Sequence, residues 1–193
     1  MEEIRRKLGL LTLEPFSNRP KAMGKTQQRF EKLVLALSSD LYRYAYFLCK
    51  NQDLAEDLVQ ETFTRAWRFL GSLRDESKAK SWLFTTLRRE FARQFERYQP
   101  RFDDVDPDLL PGERSSPVEV LVIRRAMLRL PLKYREPIVL QVIGGYSGEE
   151  IATMLDVPRA TVNTRLFRAR HRLRKIFDGG VSDIDLDETE VLS

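Results

Sequence analysis

Three carboxylates at four-residue spacing, Asp53, Asp57 and Glu61, are the residues whose types and positions most suggest chemistry. Such a row lies along one face of a helix. It could ligate a divalent cation for hydrolysis, dock a basic partner helix, or meet solvent with Glu61 paired to Arg65 four residues on. The sequence offers no Glu-x-x-His partner for a metal site. This argues against a metal-dependent nuclease and leaves the other two interpretations open.

Cysteine and histidine chemistry is also limited, because the chain has one residue of each type, Cys49 and His171. One cysteine forms no internal disulfide, and one residue of each type builds no zinc cluster. Cys49 lies in an apolar, aromatic-rich segment, which is typical of a core residue. We therefore expect no metal, no cofactor and no catalytic residue.

The charge distribution points to a polyanionic partner. The 193 residues carry a formal net charge of +4, but residues 178–193 include six acidic side chains and no Lys or Arg, so residues 1–177 carry +10. A basic body suggests nucleic acid, and the acidic tail suggests an internal competitor for it. No apolar run approaches the roughly 20 residues that span a bilayer, and no secretory signal follows the charged N-terminus. We expect a cytoplasmic protein that does not insert into membranes.

Residues 147–177 have the pattern of a helix-turn-helix. Ser147 followed by Glu150 forms a capping box at the start of the first helix. Residues 156–158 form the turn, and Val157 is the apolar residue of the turn that packs inward. The second helix starts near Arg159. Apolar residues at helical spacing dock this second helix: Val162, Leu166, Ala169 and Leu173.

The opposite face of the second helix has the composition of a DNA-reading surface. From 159 to 175 it carries seven basic residues and no acidic one. Amide and guanidinium groups donate to base edges, and cations bind phosphates. The alternative is a solvated helix end whose cations meet the negative end of the helix dipole. The turn and the capped helix before it favour the DNA-reading interpretation.

The segment 78–98 combines cations with flat rings. Its basic residues Lys78, Lys80, Arg88, Arg89, Arg93 and Arg97 are interleaved with Trp82, Phe84, Phe91, Phe95 and Tyr98. Cations that follow a backbone and rings that stack on bases are what single-stranded nucleic acid binding requires. The alternative is that the rings belong to the core, as helical spacing predicts for several of them. Trp82 fits either the core or the nucleic acid-binding surface.

The elements that must position these residues are helices throughout, since no strand pattern appears. We predict an all-α fold of two small domains: an N-terminal three-to-four-helix bundle and a C-terminal four-helix domain with the helix-turn-helix. An acidic, proline-rich segment joins them as a flexible linker. The predicted parts are a flexible extension at 1–24, the bundle at 25–98, the linker at 99–116, the second domain at 117–177 and the acidic tail at 178–193.

These pieces together resemble a known family. Residues 53–67 (DLAEDLVQETFTRAW), 81–84 (SWLF) and 130–140 (LPLKYREPIVL), followed by the helix-turn-helix, are similar to the extracytoplasmic-function (ECF) sigma factors of bacteria, in the sigma-70 family. The resemblance covers most of residues 28–177, and the order and spacing of the pieces make it specific. Arg89 stands where the family commonly has Asn, and Leu73 where an aromatic residue is common. The −10 base preference of the family therefore does not carry over.

The resemblance implies a role for each segment. Residues 53–68 would bind the β′ coiled coil of core RNA polymerase. This favours the interpretation of the carboxylate row as a docking surface over the interpretation as a solvated face. The candidate contact residues are Asp53, Asp57, Gln60, Glu61 and Arg65. Residues 71–98 would read and melt the −10 element, with a flipped base held by the loop 71–80; the candidates are Leu73, Lys78, Lys80, Trp82, Arg88, Arg89 and Arg93. The helix-turn-helix would read the −35 element; the candidates are Arg159, Thr161, Asn163, Thr164, Arg165, Phe167 and Arg168.

As a sigma factor, the protein would direct core RNA polymerase to specific promoters and perform no covalent chemistry itself. The implied partners are core polymerase, through its β′ coiled coil and β flap, promoter DNA, and an anti-sigma factor; no small-molecule substrate is implied. The main alternative is a stand-alone helix-turn-helix regulator that binds DNA without polymerase. Such a regulator usually carries a ligand-binding or phosphoacceptor domain, and the sequence has no recognisable site of that kind.

Overall fold

The computed structural model of the protein describes residues 24–69, 78–97 and 118–178. Within these ranges the chain forms seven α-helices and no strand, so the predicted all-α fold is confirmed. None of these helices is both long enough and apolar enough to cross a membrane. The helices are α1 (Lys25–Cys49), α2 (Gln52–Phe69), α3 (Ala79–Arg97), α4 (Val118–Arg129), α5 (Leu132–Val142), α6 (Gly148–Leu155) and α7 (Arg159–Phe177).

Helices α1 to α3 form a bundle through apolar faces that they bury against one another. In the first half of α1 the buried apolar residues recur every three or four positions, at Val34, Leu37 and Leu41. From Tyr44 to Cys49 every residue is buried, because α5 packs against α1 as well. The same spacing in α2 buries Ala55, Leu58, Val59, Thr62 and Ala66. In α3 it buries Leu83, Phe84, Leu87 and Phe91. Cys49 is buried in this core, as its apolar surroundings in the sequence predict.

The connection between α1 and α2 is short and locally capped. Lys50 ends α1 in the left-handed conformation, with φ at 54°, and its backbone N–H bonds to the carbonyl of Tyr46. The side-chain oxygen of Asn51 accepts a hydrogen bond from the N–H of Leu54 at 2.8 Å, which satisfies a free donor at the start of α2. The two helices therefore reverse direction tightly and pack along each other.

Helices α4 to α7 form the second domain, and a buried arginine joins two of them. Arg135 on α5 is 3% exposed, and its guanidinium donates to the carbonyls of Leu128 at 3.2 Å and Leu130 at 2.8 Å. These carbonyls lie at the end of α4, where a helix has free acceptors and a partial negative charge. Arg135 thus caps α4, a role that the sequence pattern did not reveal.

The helix-turn-helix is confirmed in its details. The hydroxyl of Ser147 accepts from the N–H of Glu150 at 3.3 Å, and the Glu150 carboxylate accepts from the N–H of Ser147 at 2.8 Å. Helix α6 ends at Asp156, whose φ is 56°, and α7 starts at Arg159. The four predicted docking residues of α7 face inward: Val162, Leu166 and Ala169 are buried, and Leu173 packs against the core.

The two domains pack against each other. Helix α1 lies along α5, and buried residues of both domains form one continuous hydrophobic cluster. Arg135 crosses between them and donates to the carbonyl of Leu48, near the end of α1, at 3.3 Å. The predicted extension, linker and tail lie outside the described residues, so the domain limits stay predictions.

Candidate nucleic-acid interface

Helix α7 is held on its apolar side and presents its polar side to solvent. Arg159, Asn163, Thr164, Phe167 and Arg168 are exposed, whereas Thr161 and Arg165 are half-buried. All seven −35 candidates therefore lie on or beside the open face of α7. The arrangement places an amide and a hydroxyl in the first two turns of the helix, with cations on both sides of them. Side chains of these types can donate to base edges and to phosphates at the same time.

A buried tyrosine beneath α7 positions two of its arginines. Arg168 donates to the hydroxyl of Tyr134 at 3.3 Å, and the guanidinium carbon of Arg172 lies 5.0 Å from the centre of the Tyr134 ring. Burial raises the pKa of Tyr134, but the hydrogen bond from Arg168 and the neighbouring cations outweigh it, so this pKa lies below its ordinary value. Sequence reasoning missed Tyr134, because its partners lie 34 or more residues further along the chain.

Phe167 is the most solvent-exposed large apolar side chain in the described ranges, at 71%. Its ring lies parallel to the ring of His171, with a centroid distance of 6.5 Å and an interplanar angle of 7°. An exposed ring on the reading face can contact the methyl group of thymine or cover a sugar. The position suits a residue that becomes buried only when DNA is bound.

The start of α6 lies close to the reading face. A Cβ atom at Gly148 would stand 3.3 Å from the side-chain oxygen of Asn163, so a residue without a side chain keeps this approach open. Arg159 and Glu149 approach to 3.7 Å, with both side chains more than two-thirds exposed. A solvent-exposed pair of this kind contributes little stability, so Arg159 remains available to another anion.

The −10 candidates lie in different environments. Lys78, Arg89 and Arg93 are exposed, and Lys80 and Arg88 are half-buried. Trp82 is partly buried and packs against the core, and its contact with DNA stays a prediction. Leu73 lies outside the described residues.

A buried carboxylate organises the middle of α2 and α3. Glu90 is 4% exposed and accepts from Arg93 on its own helix and from Arg65 on α2, the latter at 2.7 Å. Arg65 also binds Glu61 at 3.0 Å, the pair that the spacing predicts. Arg65 therefore ties α2 to α3. Sequence reasoning missed Glu90; an isolated acidic residue inside an arginine-rich helix was the available signal.

The carboxylate row of α2 faces outward. Asp53, Asp57 and Gln60 are exposed, and Glu61 is half-buried beside Arg65. Within the described ranges no three potential ligands of the Cys, His, Asp and Glu types lie together as a metal site. The row is therefore an accessible acidic strip on the outside of the first domain.

Arg88 reaches into the second domain. Its Nε atom donates to the Glu136 carboxylate of α5 at 2.9 Å, and the hydroxyl of Tyr44 donates to the same oxygen at 3.1 Å. Burial, together with the nearby Glu136 carboxylate, raises the pKa of Tyr44 well above its ordinary value, so the hydroxyl remains a donor. Sequence reasoning placed Arg88 on a DNA surface but missed both of these partners.

Comparison with known proteins agrees with the two-domain geometry. Residues 33–101 match the family model for Sigma-70 region 2, and residues 121–173 match the model for Sigma-70 region 4. The chain is 33% identical over 152 residues to the ECF RNA polymerase sigma factor SigM of Bacillus subtilis, which covers 75% of this chain and 93% of that protein. It is 32% identical over 162 residues to EcfG of Rhodopseudomonas palustris, which covers 81% of this chain and 90% of that protein.

Two solved structures have a similar fold. The sigma factor RpoE of Bartonella quintana, in complex with the anti-sigma factor NepR, aligns with a TM-score of 0.68 and 29% identity over 81% of this chain and 99% of that chain. CnrH, in complex with the cytosolic domain of CnrY, aligns with a TM-score of 0.58 and 25% identity over 79% of this chain and 90% of that chain.

Proposed function

Because the chain belongs to the ECF subfamily of bacterial RNA polymerase sigma factors, we propose that four of its surfaces divide the work of polymerase binding and promoter recognition. As a member of this family the protein directs core RNA polymerase to specific promoters and promotes DNA melting at initiation. The main support for this assignment comes from helix α7. Its apolar side packs against the core of the second domain, and its exposed side carries hydrogen-bond donors and cations.

We assign −35 recognition to the open face of α7. Asn163 and Thr164 stand where they can donate to base edges, and Arg168, held by Tyr134, stands where it can bind a phosphate. Phe167 supplies an apolar contact beside them. Arg159, Thr161 and Arg165 extend the same surface along the backbone of the duplex.

We assign core-polymerase docking to the acidic strip of α2. Asp53, Asp57 and Gln60 are exposed along one face, which suits a basic or polar partner helix such as the β′ coiled coil. Glu61 and Arg65 lie at the edge of this strip, where Glu90 fixes the orientation of Arg65. For the β flap we assign the exposed apolar pair on α4, Val122 at 43% and Ile123 at 47%.

We assign −10 binding to the outer surface of α3. Lys78, Arg89 and Arg93 are accessible to a phosphate backbone, and Lys80, Trp82 and Arg88 combine cations with a flat ring. Leu73 belongs to this proposal by its sequence position alone. Binding and melting need no covalent step by the factor, so we propose that all bond formation belongs to the polymerase.

An anti-sigma factor is part of the proposal as well. The support is the likeness to RpoE, which is described in complex with the anti-sigma factor NepR. The proposed place of action is the bacterial cytoplasm, where core polymerase and the chromosome are found together.

The experiment that tests this function combines the purified full chain with bacterial core RNA polymerase and genomic DNA, and maps the transcript ends. The expected result is initiation at defined positions that core polymerase alone ignores. Asp57→Lys should abolish these starts by weakening core binding, whereas Glu31→Lys, the same charge change on an exposed part of α1, should not. Duplex binding without core binding would instead indicate the stand-alone regulator.

A further inference from the structure

The exposed face of helix α7 has two edges of different chemistry. Successive residues of a helix are rotated by about 100°, so Thr164 and His171 lie on one line along this face. Arg168 and Lys175 lie to one side of the line, and Phe167 lies to the other side. All five side chains are exposed. The face therefore offers cations along one edge and an accessible aromatic ring on the other edge.

The acidic tail, of which residues 179–193 lie outside the described residues, has a sequence that complements this face. Acidic and apolar residues alternate at its centre, in the order Asp183, Ile184, Asp185, Leu186 and Asp187. Successive side chains of an extended chain lie on opposite sides. An extended segment of this sequence would therefore present carboxylates on one side and apolar side chains on the other, which matches the two edges of the α7 face.

The connection between α7 and this segment is short. Helix α7 ends at Phe177, and the backbone N–H of Asp178 bonds to the carbonyl of Arg174 at 2.9 Å, so the last turn of the helix is closed. Gly179 and Gly180 follow directly in the sequence. Glycine at this position favours the left-handed conformation with which a chain leaves a helix and changes direction. The two glycines therefore allow the chain to turn back along α7.

The lengths of the segment and of the helix agree as well. Carboxylates two residues apart in an extended chain are separated by about 6.6 Å, and one turn of a helix rises by about 5.4 Å. Each carboxylate can therefore meet about one turn of α7. An extended chain from Asp183 to Glu190 spans about 23 Å, and residues 160–175 of the helix span about 22 Å. Val191 and Leu192 would then lie beyond the start of α7.

The charges are complementary over the same length. Residues 159–175 carry seven basic side chains and no acidic one, whereas residues 178–193 carry six acidic side chains and no Lys or Arg. Phe167 is 71% exposed, so apolar side chains of the segment can remove a large apolar surface from water. Because both partners belong to one chain, their effective concentration is on the order of millimolar. Contacts that are individually weak are therefore sufficient.

We propose that residues 183–190 bind along the exposed face of α7 in the free factor, with their carboxylates at the edge of Arg168 and Lys175, and with Ile184 and Leu186 at the edge of Phe167. The carboxylates then take the place of DNA phosphates, and the segment competes with duplex DNA for this face. The competition rests on the −35 role proposed above for α7, whereas the contact itself does not depend on that role.

The first test measures the affinity of the chain, without polymerase, for a fluorescent duplex of arbitrary sequence at low salt. Ile184→Ser combined with Leu186→Ser keeps the net charge, so general electrostatic attraction to DNA does not change. We expect the affinity to rise about threefold, because the face is accessible in a larger fraction of molecules. Val191→Ser combined with Leu192→Ser is the matched control and should have no effect. Equal gains from the two double variants would contradict the proposed alignment.

A chain that ends at Asp178 should bind the same duplex about tenfold more tightly than the full chain. This gain should decrease as the salt concentration rises, because salt screens the contact between the acidic tail and α7. A gain that is independent of salt would contradict a contact made by carboxylates.

Backbone amide chemical shifts, compared by NMR between the full chain and the chain that ends at Asp178, locate the contact independently of DNA. The shifted amides should lie within residues 163–175. Shifts confined to the residues next to Asp178 would overturn the contact and leave the −35 role intact, even if the affinity rises. Shifts within 163–175 without a gain in duplex affinity would overturn the competition, and the −35 role of this face would fail with it. Shifts that grow with protein concentration would assign the contact to the tail of a second copy and overturn the intramolecular contact.

Discussion

The two surfaces proposed to bind DNA differ in what covers them. On α7 the side chains of Asn163, Thr164 and Arg168 stand in solvent, ready for a duplex. On α3 the stripe through Lys80 and Arg88 is occupied by the second domain. The proposed −35 residues are accessible in this structure, whereas Lys80 and Arg88 of the proposed −10 surface are in contact with the second domain.

The difference has a structural cause. The open surface is formed within one helix, whose apolar and polar faces follow from local spacing. The covered surface is formed by hydrogen bonds between residues 48 and 92 positions apart in the chain. The following changes separate the contributions of these two surfaces and of the helix-turn-helix that supports one of them, from the largest expected effect to the smallest.

Gly144→Ala should disrupt the covered surface by steric conflict. A Cβ atom at Gly144 would overlap the ring of Tyr146 and stand 2.6 Å from the carbonyl oxygen of Leu140. We expect a loss of about 3 kcal/mol in the free energy of unfolding, measured by urea denaturation. Gly145→Ala is the control, because that Cβ meets open space and only the positive φ of 72° is strained. Equal losses from the two variants would contradict this steric account.

Asn163→Ala should act on the open surface alone. Loss of the amide removes donor and acceptor groups from the reading face, so specific promoter binding should weaken roughly tenfold or more. The free energy of unfolding should hardly change, because Asn163 is exposed. Holoenzyme binding to a promoter, compared with a scrambled −35 sequence, measures the effect. Thr153→Ala on the exposed side of α6 is the control, and a loss of the same size there would remove Asn163 from base recognition.

Arg168→Ala should weaken binding to all duplexes, with little effect on sequence preference. If Arg168 binds one phosphate, the slope of log affinity against log salt should fall by about one. Arg129→Ala, an exposed arginine at the end of α4, should leave the slope unchanged. An unaltered slope in Arg168→Ala would exclude a phosphate contact at this position.

The smallest effect concerns acid stability of the helix-turn-helix. Hydrogen bonds from the backbone N–H and the hydroxyl of Ser147 lower the pKa of Glu150 below its ordinary value of 4.5. A carboxyl group with a lowered folded pKa stabilises the protein fully above 4.5, and this contribution is lost as the pH falls through the folded value. Glu150→Gln should therefore have a shallower loss of stability on the acid side than the unaltered protein. Identical acid profiles would show that the capping box adds no charge-dependent stability.

Much of the fold and of the open surface could be predicted from sequence because the information is local. The capping box at Ser147 and Glu150, the turn before Arg159 and the inward stripe of α7 are all short-range patterns, and each is present in the structure. The roles of the individual contact residues stay predictions. Their exposure on α7 is consistent with the proposed −35 surface.

The contacts of the covered surface could not be predicted in this way. Arg135 and Glu136 lie in a helix that is otherwise largely buried. Burial of charged residues indicates that both have partners, but the sequence does not show which residues these are. Their partners on α1 and α3 become visible only when the two domains are packed together. The −10 role of Arg88 stays a prediction, and in this structure its guanidinium binds Glu136 of α5.

The most direct test of this account is the distance between the domains, measured by single-molecule energy transfer between dyes at Glu31→Cys on α1 and Arg174→Cys on α7. Native Cys49 is buried and should stay unlabelled. We predict a short distance in the free factor, and a longer one when core RNA polymerase and promoter DNA are added together. A distance that stays unchanged while transcription starts would contradict the account, because the α3 stripe would then be covered during initiation.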